Sequence, residues 1–336
     1  MNHKYITCTG YGGTGSSIIS DLMKEFRNVK SCGSDFELTL SFDNDGISDL
    51  QHYIVDDFER NKISEGIFRF QKHVKQLSRI YRKKMKVDFE GILNDYINSL
   101  IDVEWKGTSI QQKFRYPRWQ HILLYRIPEI VQSLLYKYND GYEHTTKYKR
   151  KLPIYVSYGK EKFFNNTRQM YRQLLDSFDI DFCYEYLCFD QLVPSYNFNR
   201  YSSYFPNLKI IAVDRDPRDL YLLNELYWHE GWIPSHDINT YIRWFKLLRE
   251  QKKYEIIPQN VLCINFEESI FHYDDFLKKI INFVGLDLSD HIAPMKYFNP
   301  EVSIKNVELW KSIHTKNIEI SKIEKELTEY CWTDKG

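Results

Sequence analysis

The chain is poor in the residues that staple, span or advertise. Its six cysteines (Cys8, Cys32, Cys183, Cys188, Cys263, Cys331) show no C-x-x-C spacing. That argues against a zinc site and against a disulfide framework, and it fits a reducing compartment. Net charge is absent, with Lys+Arg and Asp+Glu both 46. No overall field therefore points to nucleic acid or an anionic surface, and any basic site has to be local. No apolar run approaches the ~18 residues that cross a bilayer, and no secretory signal precedes the first apolar stretch. The expectation is a soluble, cytoplasmic protein with no transmembrane segment, open at most to peripheral membrane contact. Metal ligation has little to work with. Asp43-Asn44-Asp45-Gly46 begins like a calcium loop, but His52 stands where a bidentate Glu is needed. No metal is expected.

Glycine is scarce as well, with 14 in 336 residues, yet four fall at positions 10, 12, 13 and 15. They follow a short apolar strand starting at Lys4 and precede Ser16, Ser17 and an amphipathic helix. Glycine admits positive φ and close backbone approach, and a helix N-terminus presents unpaired N–H groups. Together they make an anion site, with phosphate the natural occupant. Two templates fit. Gly10, Gly12 and Gly15 spell G-x-G-x-x-G, with Asp35 or Glu37 about 20 residues on for a ribose. Gly10, Gly15, Ser16 and Ser17 spell a P-loop in which Ser16 replaces the lysine. A glycine-rich turn without any ligand is the bland third reading.

From about Ile47 to Lys137 helical periodicity dominates, as in Ile63, Ile67, Phe70, Val74 and Leu77. A helical stretch this long between the first two strands exceeds a plain crossover. We read residues 1–336 as a single domain carrying a helical insertion at 46–138, the natural place for an acceptor-side lid. Lys113-Phe114-Arg115-Tyr116-Pro117-Arg118-Trp119 sets three cations among three rings within it. Residues 139–150 read as a polar hinge. Beyond them strands alternate with helices: Leu152 to Val156, Tyr184 to Phe189, Leu208 to Val213 and Val261 to Ile264. That alternation predicts a parallel sheet covered on both faces. Ligands in such sheets sit beyond the carboxyl ends of the strands, so Asp190, Arg215 and Asn265 should gather near the glycine loop. Arg215 stands directly after a buried strand, poised over a phosphate; its bland alternative is pairing with Asp216 or Asp219.

Four segments carry a resemblance. Gly12-Gly13-Thr14-Gly15-Ser16-Ser17 resembles the 5′-phosphosulfate loop of the sulfotransferases. Val213-Asp214-Arg215-Asp216-Pro217-Arg218-Asp219 is similar to that family's 3′-phosphate motif. Val261 to Ser269, leading to Phe283-Val284-Gly285-Leu286, resembles its later strand, acidic turn and helix end. Ser303 to Lys311 resembles the C-terminal segment that closes over the nucleotide. The four occur in the family's order from residue 4 to about 311, leaving the insertion unmatched, and the pattern is similar to a bacterial branch associated with surface polysaccharides.

The resemblance implies a P-loop-type three-layer α/β/α fold with a central parallel sheet, and 3′-phosphoadenosine-5′-phosphosulfate as donor. It implies transfer to a hydroxyl of a carbohydrate or glycolipid acceptor, without metal or nucleic acid. Gly12, Gly13, Thr14, Gly15, Ser16 and Ser17 would hold the 5′-phosphate, with Arg215, Ser303, Lys305 and Asn306 on the 3′-phosphate. Two positions depart from the pattern. Gly13 stands where the family has a basic residue, and Leu223 where it has a phosphate-binding serine, with Asn224 as the nearby substitute. Lys160, Lys305 and Arg118 are candidates for the missing cation. Glu37 is the candidate general base, with His52 and Asp190 behind it. A dinucleotide-dependent oxidoreductase and a non-catalytic nucleotide-binding protein are the competing readings.

Overall fold

The computed structural model describes residues 3–33, 37–81, 85, 87–135 and 151–334. The expected hinge at 139–150, most of the basic run at 82–86 and the alternative ribose acid Asp35 lie outside them. The chain divides into two compact units, one formed by residues 1–41 and 175–336, the other by 42–174.

Among the described residues seven strands form two sheets: β1 (Lys4–Gly10), β2 (Val29–Ser31), β3 (Val103–Gly107), β4 (Leu152–Val156), β5 (Tyr186–Asp190), β6 (Leu208–Asp214) and β7 (Val261–Asn265). The first unit holds a parallel sheet in the order β2-β5-β1-β6-β7. Its strands are apolar on both faces, as β5 shows with every residue buried, because helices cover both sides. On one face Ile18, Ile19 and Leu22 of helix Ser17–Met23 join Phe276 and Ile280 of helix Tyr273–Val284. That second helix ends at Gly285 with φ +86°, the expected left-handed cap. The helices Pro217–Leu223, Ile238–Lys253 and Asn317–Glu326 build a separate core from Leu220, Tyr241, Phe245 and Ile323. The result is a three-layer α/β/α architecture around a parallel sheet, as expected. Register puts Cys8 beside Asp190, Gly10 beside Val213 and Asp214 beside Asn265, so β1, β5, β6 and β7 end along one edge.

The second unit is mostly helical. Helices Arg60–Tyr81 and Phe89–Leu100 bury the apolar rows read from the sequence, and Phe70 meets Tyr96 edge-on at 6.0 Å. Tyr96 Oη lies 2.8 Å from Thr167 Oγ1, within hydrogen-bonding reach. The strand expected at Leu152–Val156 forms, but not in the parallel sheet. It pairs antiparallel with β3 as a two-stranded ribbon. The sequence hides β3 because Val103, Glu104, Trp105 and Lys106 are all exposed, leaving no alternation to read.

Candidate functional site

The glycine loop leaves β1 with Gly12, Gly13 and Gly15 at φ +88°, +66° and +84°. L-residues rarely adopt this region, and here space is closed as well. A Cβ on Gly12 would come within 2.2 Å of the Trp232 ring. One on Gly13 would lie 2.9 Å from Leu220 Cδ1 and 3.0 Å from Trp228 Cζ3. A cation at position 13 is therefore disfavoured twice over, by the left-handed backbone and by the Trp228 indole, Leu220 and Ile233 that crowd the start of its stem. Thr14 Oγ1 donates to the carbonyl of Val213 at 2.7 Å and is buried, so this hydroxyl ties the loop to β6. Ser16 Oγ accepts from Gln191 Nε2 at 3.4 Å, and Ser17 is exposed at the first position of its helix.

A cleft of about 880 Å³ opens over this loop. It brings together Gly12, Gly13, Gly15, Ser16 and Ser17 with Arg215, Ser303 and Asn306, as well as Glu37. Arg215 is only 4% exposed. Its Nη2 donates to the carbonyl of Asn306, and its guanidinium carbon sits 4.4 Å from the Phe266 ring centre. Nε has no hydrogen-bond partner among the described residues. Burial pulls its pKa below the usual arginine value while Glu267, Asp219 and Asp216 push it back up; the group stays charged. The result is a desolvated cation that lines the cleft and keeps one buried donor unused.

The neighbouring Arg218 has the opposite fate. It forks onto Asp216, reaches Glu324 at 2.8 Å and lies 3.9 Å from the Trp310 ring centre. Asp219 accepts from the N–H groups of Glu308 at 2.7 Å and Leu309 at 2.8 Å, fixing the segment that carries Ser303 and Asn306. Both residues thus hold the scaffold around Arg215.

Other expected residues fall elsewhere. Lys305 is exposed and is not part of the cleft lining. Asn224 is buried, and its amide is committed to Ile233, Ser235 and Glu230, bracing the turn that carries Trp232. Lys160 starts helix Lys160–Asp176 and, like Arg118 and His52, belongs to the second unit. Arg115, also there, bonds Glu65 at 2.8 Å with its guanidinium carbon 3.8 Å from the Phe68 ring centre. Asn265 borders a different cleft, together with Glu267 and Trp332.

Three features of the site were not anticipated. Trp228, Trp232, Phe266 and Tyr297 give it aromatic walls. Lys296 supplies a second lining cation. The wall bearing Lys296 is organised by Glu25, whose carboxyl group accepts from the N–H groups of Met295, Tyr297 and Phe298. Asp21, Glu37 and Asp190 also line the cleft, with Glu37 bridged to Asp190 through the backbone. Burial, with the Glu37 and Asp21 charges adding to it, pushes Asp190 up to about 6, against a bond from Cys8 Sγ at 3.1 Å. A carboxyl group titrating there is well matched to accept a proton near neutral pH.

The acids behind Arg215 make a pH prediction. Burial pushes Glu267 up to about 8; its Oε1 accepts from the Asp216 N–H at 2.9 Å, and Oε2 has no partner among the described residues. A raised carboxyl pKa means the folded state holds a proton that the unfolded chain releases at about 4.3. Its stabilisation is complete below that value and is lost as pH rises through about 8. Urea denaturation should show stability falling from about pH 4.3 to about pH 8 and levelling off above that. Glu267→Gln, which keeps the acceptor for Asp216, should flatten that fall; an unchanged slope in the variant would remove Glu267 as its source.

No protein-family model and no curated protein matches the sequence. Among solved structures, the chain is similar to the sulfotransferase domain from the curacin biosynthetic pathway, with TM-score 0.41, 10% identity and 98% of each chain covered. It is similar to the sulfotransferase domain of the Synechococcus PCC 7002 olefin synthase, with TM-score 0.40, 10% identity and coverage of 97% of this chain and 94% of that one. For the sulfotransferase STF9 from Mycobacterium avium the TM-score is 0.34, with 12% identity and coverage of 98% and 76%. Likeness at this distance carries no chemistry across.

Among the described residues no group of three or more His, Cys, Asp or Glu could hold a metal ion, and no helix is long and apolar enough to cross a membrane.

Proposed function

We propose that the cleft binds 3′-phosphoadenosine-5′-phosphosulfate and that the protein is a sulfotransferase acting on a hydroxyl of a carbohydrate or glycolipid. The observation that carries this reading is Arg215, buried with an unused donor in the same cleft as a cationless glycine loop. Two separate anion-binding elements call for a ligand with two separate anionic groups. Backbone N–H groups of the loop with Ser16 and Ser17 suit the 5′ end, and Arg215 with Ser303 suits the 3′-phosphate. The aromatic walls suit a flat base.

Strand order argues against the dinucleotide reading. In that fold the strand after the first helix lies beside β1, whereas here β5 separates β2 from β1. The G-x-G-x-x-G spacing is then a coincidence of a different loop.

The chemistry needs little covalent help from the protein. The acceptor oxygen attacks sulfur as its proton passes to a base, and the sulfur–oxygen bond to the 5′-phosphate breaks, leaving the electron pair on adenosine 3′,5′-bisphosphate. Alignment and charge stabilisation carry such transfers. Glu37 and Asp190 are the cleft's carboxyl candidates for the proton, and Lys296 is a cleft cation available to the leaving oxygen in place of a residue-13 side chain. The test is a thermal-shift panel followed by turnover of labelled donor. Adenosine 3′,5′-bisphosphate should raise the melting temperature, and adenosine 5′-monophosphate should do so much less. A selective shift with NAD(P) would overturn the reading, and binding without turnover on any glycan would reduce it to nucleotide binding.

A further inference from the structure

The second unit carries an apolar surface of its own. Helix Arg118–His121 continues through a π-helical turn, Ile122–Arg126, into Ile127–Leu135. Pro128 explains the widened turn, since it offers no N–H to the preceding turn of helix. Along this rod Trp119, Leu123, Ile127, Ile130 and Leu134 recur every three or four residues, the spacing of one helical face. That face points outward: Trp119 is 61% exposed, Leu123 54%, Ile130 57% and Leu134 72%. Tyr125 and Gln132 mark the buried side. A full apolar stripe in water is an interaction surface rather than scattered exposure.

We infer that this helix docks in the plane of an anionic lipid surface. Charge favours that occupant. Arg118 and Arg126 are both exposed, and the helix holds a single acid, Glu129, 3.5 Å from Arg126. A second copy of the chain fits less well. Arg126 lies midway along the stripe, so a two-fold pairing of these faces would bring it against its own copy in an apolar contact. At a bilayer the same side chain snorkels to the headgroup phosphates while the stripe enters the acyl boundary. Trp119 at one end is an interfacial side chain. The inference does not depend on the donor or the reaction, and its test needs neither.

The experiment is flotation of the 336-residue protein with vesicles of phosphatidylcholine alone or with about one third phosphatidylglycerol. The expected result is recovery with the anionic vesicles, weakened at least tenfold by Leu123→Glu together with Ile130→Glu. Both positions are exposed, so the melting temperature should stay within a few degrees, and a nucleotide-induced thermal shift should be unaffected. No recovery with anionic vesicles would overturn the proposal, as would equal recovery of the double variant. A stable dimer abolished by Ile130→Glu, without vesicle binding, would assign the face to a second copy instead.

Discussion

Arg215→Ala should abolish the thermal stabilisation given by adenosine 3′,5′-bisphosphate and weaken its binding by at least about 30-fold, while the free protein melts close to the wild type. The first half follows from desolvation. A phosphate meeting a guanidinium that is already 4% exposed gives up water once, for a partner with an unused Nε donor. Removing one partner of such a buried charged pair costs about 2–5 kcal/mol. The second half follows because the free protein gains little from this side chain. Its cation is desolvated, and the carboxyl group beside it, Glu267, is pushed up to about 8 and so is neutral at pH 7. Deleting the guanidinium therefore strands no ionised Glu267, and Asp219 keeps the N–H groups of Glu308 and Leu309 that already compensate its charge. Arg215→Lys makes the test sharper. A lysine keeps the charge but lacks the planar fork, so binding should fall to an intermediate level. Isothermal titration of the three proteins measures the series. Equal affinity in wild type and Arg215→Ala would remove the anion site from this residue, and the nucleotide reading with it.

The sequence made the parallel sheet legible because its strands are continuous apolar runs ended by polar residues, which is what burial on both faces demands. The same logic placed Asp190 and Arg215 at the cleft, since parallel strands in register end together. It failed at β3, whose side chains are exposed, and at β2, only three residues long. The glycine loop was legible as an anion site, but its missing cation looked like an omission. Space explains it: Trp228 and Trp232 stand 15 and 19 positions after Val213, and only folding lays their indoles on Gly12 and Gly13. Asn224 illustrates the opposite error. It stands beside the phosphate motif in sequence, yet its amide is spent on the turn that carries Trp232. Lys296 had no signal at all, because nothing local marks a wall held from 270 residues away.

That distant hold is Glu25, and Glu25→Ala should destabilise the protein by about 3–5 kcal/mol and disorder one wall of the cleft. The residue follows helix Ser17–Met23 and is fully buried, at 0% exposure. Oε1 accepts from the N–H groups of Tyr297 and Phe298, each at 2.9 Å, and Oε2 from Met295 at 3.1 Å. His291 Nε2 lies 2.8 Å from Oε2, and its ring stacks on Phe26 at 4.7 Å. Backbone donors buried without an acceptor cost about 1–3 kcal/mol each. Alanine strands several at once and leaves a hole where the carboxyl group was. Met295 stands at φ +58°, a left-handed backbone that persists only when its surroundings hold it there. Without Glu25 the turn has reason to relax, taking Lys296 and Tyr297 with it. Glu25→Gln separates the two roles of the carboxyl group. Its amide oxygen can still serve Tyr297 and Phe298, but its NH₂ would oppose the Met295 N–H, so its loss should be smaller than alanine's. Urea denaturation reads the stability difference, and nucleotide titration reads the wall. Both should fall in Glu25→Ala, with nucleotide affinity reduced by more than tenfold even where the variant is folded. An alanine variant within 1 kcal/mol of wild type would show that the Met295–Phe298 wall holds its shape without the buried carboxyl group. Lys296 would then be placed by the wall's own packing, through Phe298 against Phe276 and Tyr273.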